Sequence, residues 1–308
     1  MSVATSMTES KPLSGEGIIR NAILIAGPTA SGKSALALDL AELENGVIVN
    51  ADSMQVYSVL HLLTARPAAA DLERAPHLLY GHVHPSVAYS TGAWLRDVER
   101  LQVEGHFAGR RPVFVGGTGL YFAALTQGLS EMPDIPEATR TLWRERLGEE
   151  GPEHLHRLLV SRDPLAAATI RPADGQRIVR ALEVLDASGR SIREWQSKRR
   201  RPLVDMTTAR PLLVDPPRAE LRARIAARFS SMIEQGAIHE VETLLALGLD
   251  PALPAMRAIG VRELADVIEG RTTLDDARRL AVLATGQYAK RQSTWFRNQF
   301  DTNWQQVV

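Results

Sequence analysis

The chain has 308 residues, of which 44% are hydrophobic and 23% charged, and its 36 Lys and Arg balance 36 Asp and Glu. A chain of that length buries a full core and leaves room for a smaller second domain, while zero net charge argues against a protein held to nucleic acid by bulk charge alone. The absence of cysteine excludes disulfides, a thiolate zinc site and a thiol nucleophile.

Residues 1–19 are polar, rich in Ser, Thr and Gly, and lack the apolar core of a signal peptide, so they read as a disordered lead-in. No apolar run approaches the length of about 18 residues that spans a bilayer, so no membrane segment is expected and the expected compartment is the cytoplasm. Ala22 to Ala26 has the length and composition of a buried parallel strand, and it feeds directly into Gly27-Pro28-Thr29-Ala30-Ser31-Gly32-Lys33-Ser34. This spacing is that of a phosphate-binding loop: the glycines let the backbone curl so that successive N–H groups face one anion at a helix start. Lys33 offers a point charge to the terminal phosphate and Ser34 a hydroxyl to Mg²⁺. The loop indicates a diphosphate or triphosphate, including a nucleotide such as ATP, without naming the reaction.

A helix is expected over Ser34 to Leu43 and a second buried strand over Gly46 to Ala51, which leaves Asp52 at the carboxyl end of that strand. In open parallel sheets ligands bind beyond those ends, so Asp52 should face the phosphates. There it can hold Mg²⁺ through water, take a proton from a nucleophile, or cap the next helix. A helix over Thr91 to Glu104 precedes a strand, a turn and a helix from Arg111 to Phe122; Gly116, Gly117, Thr118 and Gly119 form a second glycine turn on the same edge of the sheet. Residues 133–202 change to short helical segments interrupted by Pro136, Pro152, Pro164 and Pro172, the pattern of a helical insertion. The core then resumes over 203–308, completing a first part that spans 20–132. Pro211 to Asp215 reads as a strand, and Pro217 to Gln235 as a helix whose apolar stripe leaves Arg218, Arg222, Arg224 and Arg228 mostly to one side. Three further amphipathic helices and a short edge strand from Trp304 complete the chain.

Charge is unevenly spread. Eleven Arg or Lys stand against four Asp or Glu between Arg190 and Arg228, and Gly286 to Phe300 holds Lys290, Arg291 and Arg297 with no acid. Such stretches either hold a polyanion or form a solvated helix face. The fold expected from these elements is α/β: a parallel sheet of the phosphate-loop NTPase kind, flanked by helices and carrying a helical insertion.

Six blocks of the chain together resemble the tRNA dimethylallyltransferase family: Gly27 to Ser34, Asn50 to Tyr57, Val115 to Tyr121, Gln176 to Val184, Arg257 to Arg262 and Lys290 to Arg297. The resemblance implies transfer of a dimethylallyl group from dimethylallyl diphosphate to the exocyclic N6 amine of the adenine 3′ of the anticodon. It implies Mg²⁺ as cofactor, and the tRNA anticodon stem-loop and dimethylallyl diphosphate as partners; a monomer is expected because no heptads call for a dimer. By family position Asp52 is the base, Thr118 lines the passage where amine and diphosphate meet, and Lys33 and Arg228 serve the diphosphate. Asp52, Ser53, Met54 and Gln55, with Thr118 and Arg140, fall where the family contacts tRNA. So do Gln176, Arg177, Ile178, Val179 and Arg180; Arg257, Ala258, Ile259, Gly260, Val261 and Arg262; and Lys290, Arg291, Gln292, Ser293, Thr294, Trp295, Phe296 and Arg297. The reaction requires the target base to leave its stack. His61 to Pro67 departs from the family pattern: Leu63 replaces a glycine, which would make a positive φ expensive, and Arg66 replaces a lysine. Gly81 replaces an acid. The same loop and Asp52 would equally suit a small-metabolite kinase or an RNA-binding nucleotide switch, though a kinase for a small metabolite has no evident use for the basic, aromatic C-terminal stretch.

Overall fold

The computed structural model describes residues 17–198 and 200–307. Short apolar runs build six strands, β1 (Ile23–Ala26), β2 (Gly46–Asn50), β3 (His77–Leu78), β4 (Arg111–Gly116), β5 (Arg210–Val214) and β6 (Gln305–Val307). All pairs are parallel and the order is β3-β2-β4-β1-β5-β6. β1 lies between β4 and β5: from β1 the chain runs out through β2 and β3 on one side, returns to β4, and continues to β5 and β6 on the other, so the carboxyl end of β1 opens into the crevice such a reversal creates.

Alternation along the strands sends Ile23, Ile25, Val113 and Val115 to one face, where Ala37, Leu38 and Ala41 of α1 (Lys33–Leu43) cover them. After α2 (Ala69–Arg74), α3 (Thr91–Val103) brings Trp94 edge-on to Phe114 of β4. Trp94 also stacks at 4.2 Å on Tyr121 of α4 (Gly119–Gln127). Its indole N–H donates to the Asn50 carbonyl at the end of β2, so a buried polar group is satisfied where β2 turns into the site. This is the expected parallel α/β sheet with flanking helices, joined by a helical region.

The chain divides into two compact units: one runs to Thr126 and resumes at Leu203, and the other is Gln127–Pro202. In the first unit the Ile19 amide donates to the Leu203 carbonyl, and Ile19 is buried and paired with Val204. Ile19 of the expected lead-in is therefore packed into the first unit; residues 1–16 of that lead-in lie outside the described residues. The second unit contains α5 (Glu137–Arg162), α6 (Pro164–Ala167), α7 (Gly175–Ser188) and α8 (Ile192–Gln196) around Trp143, Leu155, Leu159, Ile178 and Leu182. Its prolines act differently from one another. The break at Pro152 is a kink at Gly151 (φ 76°) inside α5, whereas Pro136 and Pro164 stand at helix starts, where a missing N–H costs nothing. The first unit then adds α9 (Arg218–Glu234), α10 (Ala237–Leu245), α11 (Val261–Ile268) and α12 (Leu274–Gln299).

Candidate active site at the carboxyl edge of the sheet

The loop between β1 and α1 holds two residues in left-handed conformation. Gly32 (φ 95°) adopts it freely, while Ala30 (φ 64°) does so at a cost of about 1–2 kcal/mol. Gly32 is also the N-cap of α1, where no side chain caps the helix and no acid occupies the first turn. The first N–H groups of α1 thus remain open to an anion. Pro28 has no N–H to offer, and its carbonyl accepts from the Ser31 amide (3.2 Å) and from Nζ of Lys33 (3.1 Å). The buried Ser31 hydroxyl has no protein partner.

Two arginines of α9 close over this loop. Arg224 Nη1 donates to the Ser31 carbonyl at 3.1 Å and Arg228 Nη2 donates to Thr29 Oγ1. Thr29 to Ser34 of the loop, both arginines, Asp52 and Gln55 line one cavity of about 340 Å³. Burial lowers the Lys33 ammonium to about 8; Asp52 acts against the shift and Arg228 adds to it. Burial likewise lowers Arg228, with Asp52 opposing. Three tyrosines, Tyr80, Tyr121 and Tyr288, are pushed well above their ordinary range, first by burial and then by the Asp52 charge, so each stays a neutral hydroxyl. The carboxylate therefore sits among two cations and three phenols.

Asp52 is aimed by its own turn. The buried Asn50 accepts from the Asp52 amide (2.9 Å), and its Nδ2 donates to the carbonyls of Asp52 and Leu79. Asp52 Oδ1 accepts from the Met54 amide at 2.9 Å. No helix starts there, so the helix-cap alternative falls: Asp52 closes an Asx turn. Thr118 Oγ1 accepts from the Ser53 amide (2.9 Å) and donates to Ser53 Oγ (3.2 Å), which ties the second glycine turn to the Asp52 turn. Gln55 Nε2 is engaged with the carbonyls of Thr64 and Ala65, each at 2.9 Å, so its amide N–H groups hold the 61–67 loop.

Several residues assigned by family position to tRNA are buried instead. Ile178 and Val179 belong to the core of the second unit, while Gln176 and Arg177 beside them are exposed and Arg180 pairs with Glu183. Ala258, Gly260 and Val261 are likewise enclosed, leaving Arg257 and Arg262 exposed and Ile259 half-buried. On α12, Phe296 is core, Trp295 lies over Gly119 in an aromatic cluster with Phe296 and Phe300, and Ser293 donates to Asp215. Gln292 is buried with both ends of its amide bonded. Lys290, Arg291, Thr294 and Arg297 remain on the outer face, and Arg140 of the second unit sits beside Glu137. Helical spacing explains the division, since residues 289, 292 and 296 share the inward stripe. A mutational contrast follows. Ile178→Ala should cost about 2–5 kcal/mol of stability in denaturant unfolding, against about 0.5 kcal/mol or less for Arg177→Ala. Equal costs would overturn the core assignment.

The departures in the 61–67 loop also resolve. Leu63 does not take a positive φ; Ala65 does (φ 53°). The amides of His61, Leu62 and Leu63 all donate to the Glu240 carboxylate, at 2.7, 2.6 and 2.9 Å. Arg66 Nη1 donates to the carbonyls of Tyr57 and Ser58, and a Cβ on Gly81 would collide with its guanidinium. The two changes therefore compensate: the arginine fills space that the glycine leaves.

A phosphate loop at the switch point of a parallel sheet, with a carboxylate opposite buried cations, defines a phosphate-loop α/β protein. The chain belongs to the IPP transferase family, whose pattern matches residues 55–299; that of the isopentenyl transferases matches residues 20–80. It is 63% identical over 293 residues to the tRNA dimethylallyltransferase of Mesorhizobium japonicum, covering 95% of this chain and 91% of that protein. It is 60% identical to the enzyme of the same name from a Chelativorans species, covering 94% and 99%. Among solved structures it resembles the tRNA isopentenylpyrophosphate transferase of Bacillus halodurans (TM-score 0.64, 32% identity, 92% of this chain and 88% of that one). A eukaryotic dimethylallyltransferase acting on tRNA gives a TM-score of 0.75 at 27% identity, covering 89% and 69%.

Sequence reasoning set Arg224 beside Arg228 off the apolar stripe without giving it a role, and missed Asn50, the three tyrosines and the role of Gln292 in the site. Two of these carried a signal. Asn-Ala-Asp-Ser is a turn sequence with two side chains able to bond their own backbone, and Gln292 is a polar residue on an otherwise apolar helical stripe.

Proposed function

We propose that the protein transfers a dimethylallyl group from dimethylallyl diphosphate to the N6 amine of the adenine 3′-adjacent to the anticodon of tRNA, releasing diphosphate. Family membership sets aside the kinase and nucleotide-switch alternatives. The observation that carries the chemistry is the Asp52 carboxylate facing the loop cavity that Lys33 and Arg228 share. In this reading the loop amides from Ala30 onward, Lys33 and Arg228 bind the diphosphate and offset the charge that grows on it as the allylic C–O bond breaks. The adenine amine is a weak nucleophile because its lone pair is delocalised; Asp52 accepts its proton as the N6–C bond forms. Thr118 holds the wall of the passage by its bonds to Ser53. The donor set suits Mg²⁺, which keeps several waters and takes few protein oxygens: the Ser34 hydroxyl and Asp52 line the same cavity. Mg²⁺ would supply further charge neutralisation on the diphosphate. The outward residues of α12, with exposed Arg257 and Arg262 and the exposed residues of α7, are the proposed tRNA contacts.

Incubation with labelled dimethylallyl diphosphate or labelled ATP, with and without bulk tRNA, tests the reaction: label from the first must enter RNA. The division of charge has its own test in salt titrations of tRNA binding. Lys290→Ala or Arg297→Ala should weaken binding and flatten the slope of log affinity against log salt by about 0.7–0.9 per lost phosphate contact. Arg228→Ala should leave that slope unchanged and raise the requirement for the allylic substrate. An unchanged slope for the α12 variants returns that face to plain solvation.

A further inference from the structure

We infer that Gln292 is a positioning residue for the diphosphate loop rather than a contact to RNA, an inference that rests on the diphosphate reading of the loop. Gln292 is 5% exposed and stands on the inward stripe of α12. Its Oε1 accepts from the Thr29 amide at 2.9 Å and its Nε2 donates to the Gly117 carbonyl at 2.8 Å. The partners fix the orientation of the side-chain amide, because an N–H can only donate and a carbonyl can only accept. One side chain thus joins the phosphate loop to the glycine turn that carries Thr118.

Gly117 is bare for this reason: a Cβ there would collide with Nε2 of Gln292 and come within 3.2 Å of Asp52 Oδ2. The clamp also engages the Thr29 N–H, while Arg228 of the neighbouring helix α9 holds the Thr29 hydroxyl. Thr29 is therefore tied at two points, which sets where the next amides of the loop, from Ala30 onward, meet an anion. A loop released by even 1 Å misaligns the leaving group with the attacking amine.

The test uses the full chain and three variants. Gln292→Met keeps the side-chain length and removes both bonds; Gln292→Glu keeps the acceptor for Thr29 but loses the donor to Gly117. Gly117→Ala crowds the amide from its far side without altering α12. Inorganic pyrophosphate binding, measured by calorimetry without RNA, should weaken about tenfold or more in all three. Single-turnover transfer at saturating substrates should fall by about 10- to 100-fold in Gln292→Met. The tRNA affinity and its salt slope should stay as in the unaltered chain. Should Gln292→Met fail to fold, as judged by its thermal transition, the other two variants carry the same comparison. Pyrophosphate affinity within twofold of the unaltered chain, or a weakened tRNA affinity with a flattened slope, overturns the inference. If the unaltered chain transfers no label to tRNA, the proposed reaction fails, while pyrophosphate binding still decides the role of Gln292.

Discussion

Asp52→Ala and Asp52→Asn should both slow single-turnover transfer by about 10²- to 10⁴-fold, the scale of a positioned general base, with tRNA affinity changed far less. The pair separates proton acceptance from turn geometry. Asparagine retains an oxygen for the Met54 amide and so preserves the turn, whereas alanine loses that bond as well. A base predicts the same loss for both; a structural acceptor predicts that asparagine restores the rate. Asp52 is also the acid among the described residues lining the cavity, where it balances Lys33 and Arg228. Without Mg²⁺, removing its charge should therefore leave pyrophosphate binding intact or tighten it, while the chemical step collapses with Mg²⁺ present. A loss confined to tRNA binding would make Asp52 an RNA contact.

The parts of the site that were legible in the sequence are those whose constraint is local. The loop from Gly27 to Ser34, the strand end before Asp52 and the glycine turn at Thr118 each combine a short continuous apolar run with a turn, so their shared edge follows from parallel-sheet topology. The helical insertion was legible because its prolines and lack of β-branched runs mark a change of pattern. What stayed hidden depends on partners far along the chain. Gln292 meets Thr29 and Gly117 across more than 170 residues, and Glu240 holds the amides of His61 to Leu63 across a similar distance. Family position assigned whole blocks to RNA, but a helix presents only one side. Burial of Ile178, Val179 and Phe296 shows that each block mixes residues that hold a helix in place with residues that face outward. The Arg66 and Gly81 exchange is a third kind of case: either change alone looks disruptive, and only their proximity shows that one makes room for the other.

Lys33→Met should reduce kcat/KM for dimethylallyl diphosphate by about 10²- to 10³-fold, the usual result of removing one preorganised donor from developing charge. The unaltered lysine should announce itself through pH. Burial lowers its ammonium to about 8 from an ordinary 10.5, and the protonated form is the one that attracts the diphosphate. As pH rises through 8 the free protein loses that charge, so kcat/KM should fall on an alkaline limb near 8, well below the range of an ordinary lysine. A bound diphosphate favours the ammonium, so kcat, which reports the complex, should stay level to higher pH. The neighbours give the sign of two further shifts. Asp52 raises the Lys33 pKa and Arg228 lowers it, so the limb in pyrophosphate binding should move down in Asp52→Asn and up in Arg228→Met. Binding is the better readout there because the Asp52 variant has little turnover. A limb that stays near 10, or shifts in the opposite directions, would show that Lys33 is solvated and that its charge is set by water rather than by the Asp52 and Arg228 that share its cavity.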